Sequence, residues 1–122
     1  MFDEHNIYVY FHKPCLFPTQ VRQCVTLMSL SNRVAVVTGA SRGVGAEIDR
    51  QYAKEGACVV INYFKSEGKA KALEEEINRQ ASSVKAAVCY GDVTKAEDME
   101  SMVKFAIDSF GKVDIVVCNA LV

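Results

Sequence analysis

The chain has 122 residues, with 14 Lys and Arg against 15 Asp and Glu, 50% hydrophobic residues and 24% charged ones. That is one modest domain rather than two, because a chain of this size hides about 65% of its unfolded surface, enough for a single core. A net charge of -1 excludes the broad basic footprint of a nucleic-acid binder or of a protein held on an anionic membrane.

Apolar runs such as Ile115 to Cys118 fall far short of the about 20 residues that span a bilayer as a helix. Asp3 and Glu4 stand where a secretory signal carries basic residues, and no long apolar stretch follows, so a cytoplasmic location is expected. Cys15, Cys24, Cys58, Cys89 and Cys118 show no CxxC spacing, so neither a disulfide framework nor a zinc site is expected. His12 and Cys15 stand three apart, but no second ligand pair follows; ordinary side chains are the better reading.

Both prolines, Pro14 and Pro18, and both histidines, His5 and His12, fall early in the chain beside several aromatics. This break in composition divides the chain into an arm, residues 1–31, and a domain, residues 32–122. The arm reads as poorly ordered. Within it, Ile7 to Phe11 suits a strand, apolar on both faces and therefore in need of a partner.

From Arg33 the pattern is regular. Val34 to Thr38 is a β-branched run that ends in a glycine turn. Val44, Ile48 and Tyr52 follow at helical spacing, with Gly56 as the stop. Cys58 to Tyr63 is a second strand, and Ser66 caps a helix with Ala70, Leu73 and Ile77 on its apolar face and Glu74, Glu75 and Glu76 toward solvent. Val84 to Tyr90 is a third strand. Thr94, with Glu97 at capping-box spacing, opens a helix that carries Met99, Met102, Val103, Ala106 and Phe110. Gly111 ends it, and Val113 to Cys118 is the fourth strand. Near-continuous apolar strands alternating with helices indicate an α/β fold with a parallel sheet covered on both faces.

Thr38-Gly39-Ala40-Ser41-Arg42-Gly43-Val44-Gly45 lies where the first strand hands over to the first helix. Glycines there let the backbone approach a pyrophosphate, and the helix N-terminus offers free N–H groups. A mere tight turn is the bland alternative, which the βαβ context weakens. The spacing is not GxGxxG, and no Gly-Lys-Ser/Thr follows.

TGxxxGxG instead resembles the short-chain dehydrogenase/reductase family, notably its NADP-dependent 3-oxoacyl-carrier-protein reductase-like and carbonyl reductase-like members. Val60-Ile61-Asn62-Tyr63, Gly91-Asp92-Val93 and Phe110-Gly111-Lys112-Val113-Asp114-Ile115 support the likeness, which covers residues 32 to 122. It implies a Rossmann-type doubly wound parallel sheet, here truncated to its first four strands in the order 3-2-1-4. It also implies that Gly39, Gly43 and Gly45 line a pyrophosphate with Val44 beside it, that Ser41 belongs to the same cofactor site, that Asp92 and Val93 hold the adenine, and that Asn119 and Ala120 border the ribose.

In that family an acid at the end of the second strand selects NAD. Asn62 and Tyr63 stand there, and Arg42 supplies a phosphate-matching fork, so the implied cofactor is NADP(H). Cys118-Asn119-Ala120-Leu121 departs from the family's Asn-Asn-Ala-Gly, and Asp49 replaces a small apolar residue on the first helix. The family's catalytic Ser and Tyr-x-x-x-Lys have no counterpart: none of Tyr8, Tyr10, Tyr52, Tyr63 and Tyr90 has a Lys four residues later. The expectation is the NADP(H)-binding portion of an oxidoreductase, without catalysis in these residues and with no substrate legible. The alternatives are a non-catalytic regulatory or interaction fragment that pairs with a full-length relative, or a small interaction module without cofactor whose arm covers the open edge beside the fourth strand.

Overall fold

The computed structural model describes residues 8–11, 30–80 and 84–120. They form β1 (Tyr8–Phe11), β2 (Val34–Val37), α1 (Gly43–Lys54), β3 (Cys58–Tyr63), α2 (Glu67–Gln80), β4 (Ala86–Tyr90), α3 (Ala96–Phe110) and β5 (Ile115–Cys118). All pairings are parallel, in the order β1-β5-β2-β3-β4. The four strands read from the domain pattern therefore stand in the order 3-2-1-4.

The sheet also has a fifth strand. Tyr8–Phe11 pairs with β5 in the register Tyr8↔Ile115 to Phe11↔Cys118, so the arm supplies the partner that its apolar segment requires. Apart from this strand and residues 30–31, the expectation of a poorly ordered arm falls outside the described residues, as do His12, Cys15 and Leu121.

The pleat divides the core. Ala35, Val37, Val59, Ile61, Ile115 and Val117 meet Ala46, Tyr52, Ala53, Leu73 and Ile77 of α1 and α2. Val36 and Val60 point the other way, onto Met102 and Ala106 of α3. Both faces are covered, which is why the strands carry no polar alternation. At the amino end of the sheet, the Asp114 carboxylate accepts the Val34 N–H at 2.9 Å and pairs with Lys112 at 3.1 Å and Arg33 at 3.5 Å.

Two details differ from the sequence reading. Glu76 is not simply solvated: it accepts from Arg50 Nε at 2.7 Å and so ties α2 to α1. The Thr94–Glu97 capping box does not form. Lys95 holds the N-cap position without a side-chain bond, because the Thr94 hydroxyl donates to Asp92 Oδ1 at 2.6 Å. Among the described residues no helix is long and apolar enough to cross a membrane.

Candidate functional site

Because the strands are parallel, β2, β3, β4 and β5 deliver their carboxyl ends to one edge. There a cavity of about 770 Å³ opens. It lies at the switch point beside β2, where one crossover packs α1 on one face and the other packs α3 on the opposite face. Its volume is in the range of small-molecule and cofactor sites.

Gly39, Ser41 and Arg42 of the β2–α1 loop, with Gly43 and Val44 of α1, form one wall. Gly39 has φ +60°, and a Cβ on it would lie 2.9 Å from the Ala120 Cα; only glycine satisfies both the turn and that approach. Arg42 is the N-cap residue, extended at φ -155° and ψ 172°, with no capping bond from its side chain, and the first turn of α1 holds no acid. Uncompensated N–H groups and a guanidinium thus face the cavity together.

Asn62, Phe64, Lys65 and Ser66 close a second side, Gly91, Asp92, Val93 and Thr94 a third, and Asn119 and Ala120 the floor. The Lys65 ammonium sits 5.7 Å from the Phe64 ring centroid. Asp92 Oδ1 accepts from the Thr94 N–H at 2.9 Å and from its hydroxyl. These bonds from Thr94 hold the Asp92 carboxyl below the usual range, so it is an acceptor at neutral pH.

Three polar side chains hold the loops in place. Asn62, 1% exposed, accepts the Gly39 N–H at 3.0 Å and donates to Gly91 O at 3.1 Å and Cys89 O at 3.3 Å. Asn119 donates through Nδ2 to Thr38 O and Gly39 O, both at 3.1 Å. The Thr38 hydroxyl accepts the N–H groups of Asn119 and Ala120 at 2.9 and 3.1 Å.

Three of the residues read from sequence are placed differently from the rest. Gly45 does not border the cavity: it is buried, and a Cβ on it would stand 2.5 Å from Asn119 Nδ2. Tyr63 does not border it either. It packs on the side of α1 and α2, with its ring 6.0 Å from Tyr90. Asn62 reaches the wall, but its amide is committed to loop backbone. Gly39, Ser41, Arg42, Gly43, Val44, Asp92, Val93, Asn119 and Ala120 all line the one cavity. Phe64, Lys65, Ser66, Gly91 and Thr94 were not among the expected wall residues; Gly91 stood in the Gly91-Asp92-Val93 segment of the resemblance, Ser66 and Thr94 were read as caps, and Phe64 and Lys65 offered only their position after a strand.

The donor set suits a phosphorylated dinucleotide. Arg42 and Lys65 are the wall's cations, Asp92 is its one carboxylate, and no acid stands at the end of β3. Open space surrounds Gly43, where an added Cβ would meet nothing within 4 Å. Among the described residues no group of three His, Cys, Asp or Glu is placed to hold a metal.

Known proteins resemble the chain over this same region. An uncharacterized oxidoreductase of Methylorubrum extorquens is 42% identical over 94 residues, covering 77% of this chain and 37% of that protein. A 3-oxoacyl-[acyl-carrier-protein] reductase of Staphylococcus epidermidis is 43% identical over 89 residues, covering 73% of this chain and 36% of its own length. The chain therefore spans little more than a third of these relatives.

Among solved structures, a short chain dehydrogenase from Burkholderia cenocepacia in complex with NADP superposes with a TM-score of 0.72 at 34% identity, over 78% of this chain and 38% of that one. A dehydrogenase/reductase from Sinorhizobium meliloti gives 0.72 at 33% identity, over 81% and 38%. The short chain dehydrogenase pattern matches residues 33–122. With the glycine turn, the parallel order and the cavity in agreement, the chain belongs to the short chain dehydrogenase family.

Proposed function

We propose that this chain is the NADP(H)-binding portion of an oxidoreductase that reduces a carbonyl or 3-oxoacyl group, and that the 122 residues bind cofactor without turning over substrate. The observation that carries the reading is the pairing of Arg42 and Lys65 on a wall whose β3 end holds no carboxylate. The NADP complex of the Burkholderia cenocepacia relative supports it.

When bound, NADPH supplies the hydride in such reductions. The chain's own part is to hold and orient. The α1 N-terminus and the glycine turn receive the pyrophosphate. Arg42 and Lys65 would pair with the additional phosphate, and the Asp92 carboxylate would accept a hydrogen bond from the adenine amino group beside Val93. Asn119 and Ala120 form the floor under the adenosine ribose. A cytoplasmic location belongs to the same proposal. So does the missing proton donor: no Tyr here has a Lys four residues on, so the carbonyl oxygen has no group of that kind to protonate it. Fluorescence titration with NADPH and NADH, paired with a reductase assay, tests both halves.

A further inference from the structure

The β4 strand forms one edge of the sheet. The Val59 N–H donates to Lys85 O at 3.1 Å and the Gly91 N–H to Tyr63 O at 3.0 Å. In a parallel ladder such bonds recur at every second residue, so Lys85, Ala87, Cys89 and Gly91 address β3. Ala86, Val88 and Tyr90 turn their N–H and C=O groups outward. No residue from Ala86 to Tyr90 is charged and none is proline, so the strand lacks the usual means of discouraging edge pairing.

Asn78, in the last turn of α2, meets the first of these outward residues. The Ala86 N–H donates to Asn78 Oδ1 at 2.8 Å, and Asn78 Nδ2 donates to Ala86 O at 3.2 Å. This is the two-bond exchange that an antiparallel neighbour makes with a hydrogen-bonded residue, performed by one primary amide.

We propose that Asn78 is an edge guard that keeps β4 from pairing with β4 of a second copy. The edge is self-complementary about Val88. A two-fold antiparallel pairing there would match Val88 with Val88 of the other copy, and Ala86 with Tyr90 in both directions. Asn78 occupies Ala86 in each copy and so blocks both outer pairs, leaving only the central one. The exposed aromatics Phe64 and Tyr90, 48% and 54% accessible, lie 6.0 Å apart by ring centroid beside this edge and would add apolar contact to the dimer once the outer pairs were free. The second copy is thus the occupant that the edge itself specifies.

Amide hydrogen exchange on the 122-residue chain, at dilute and concentrated protein, tests this together with sedimentation. In the native chain the Ala86 amide should be protected, and the Val88 amide should exchange quickly at either concentration. In Asn78→Ala the mass should rise with concentration and the Val88 amide should slow by about tenfold or more, as one retained pair of hydrogen bonds gives. Tyr90→Pro added to Asn78→Ala removes an outward N–H without touching the β3 ladder and should restore fast Val88 exchange. A slow Val88 amide in the native chain would overturn the proposal, even if the variant failed to fold. So would an Asn78→Ala chain that folds with the native mass and an unprotected Val88.

Discussion

Gly45 and Asn119 share one volume: a Cβ on Gly45 would stand 2.5 Å from the Asn119 Nδ2 that donates to Thr38 O and Gly39 O. The third glycine of the motif therefore acts one layer below the cavity, by admitting the side chain that holds the loop above it. Gly45→Ala should cost about 1–3 kcal/mol of stability, as overpacking does, and should weaken cofactor binding through the displaced loop. Part of that clash vanishes when Asn119 is shortened. Urea unfolding of Gly45→Ala, Asn119→Ala and the double variant should give a combined loss smaller than the sum. Strict additivity would show that the two residues do not share this space.

Asn62 is committed to Gly39, Cys89 and Gly91. Asn62→Ala takes this partner from the Gly39 N–H and from Gly91 O, which lie outside the strand ladder, an expected loss of about 1–3 kcal/mol. The ratio of NADPH to NADH affinity should stay unchanged, because the proposed function assigns discrimination to Arg42 and Lys65. A variant as stable as the native chain, or one with an altered cofactor ratio, would contradict this division of roles.

Asp49 is fully buried on α1, and among the described residues neither carboxylate oxygen has a hydrogen-bond partner. Burial pushes its carboxyl well above the ordinary range, opposed only by the Arg50 charge. Below the unfolded-state value of about 3.9 both states hold the proton and no penalty arises. As pH rises above that value the unfolded chain ionises first, so stability falls until the folded carboxyl also ionises. Asp49→Ala should therefore be more stable than the native chain at neutral pH, by about 1–3 kcal/mol. Unfolding measured at pH 5 and pH 7 should show a larger gain at pH 7; a gain that grows toward acid would contradict the assignment.

That the domain strands form a parallel sheet was legible because Val34–Val37, Cys58–Tyr63 and Ile115–Cys118 are apolar runs that need cover on both faces, whereas their order was implied by the family resemblance alone. Gly56 and Gly111 marked the helix ends because each takes a positive φ that other residues adopt at a cost. What escaped the sequence were choices made across it. Nothing near Asn62 announces that its amide spans to Gly39, 23 residues away, and to Gly91, 29 away. Thr94 looked like a cap until Asp92, two residues earlier, claimed its hydroxyl. Tyr8–Phe11 announced a need for a partner, and the open edge beside the fourth strand was one alternative for it; only the register, Tyr8↔Ile115 to Phe11↔Cys118, was not legible.

The most direct test is a titration of the purified chain, native and Arg42→Ala, with NADPH and with NADH, beside a carbonyl-reduction assay. The native chain should bind NADPH in preference to NADH and turn over no substrate. Arg42→Ala should weaken NADPH by about 10- to 100-fold, the worth of a charged hydrogen bond to phosphate, and leave NADH nearly unchanged. Equal loss for both dinucleotides, or measurable reduction by the native chain, would contradict the account.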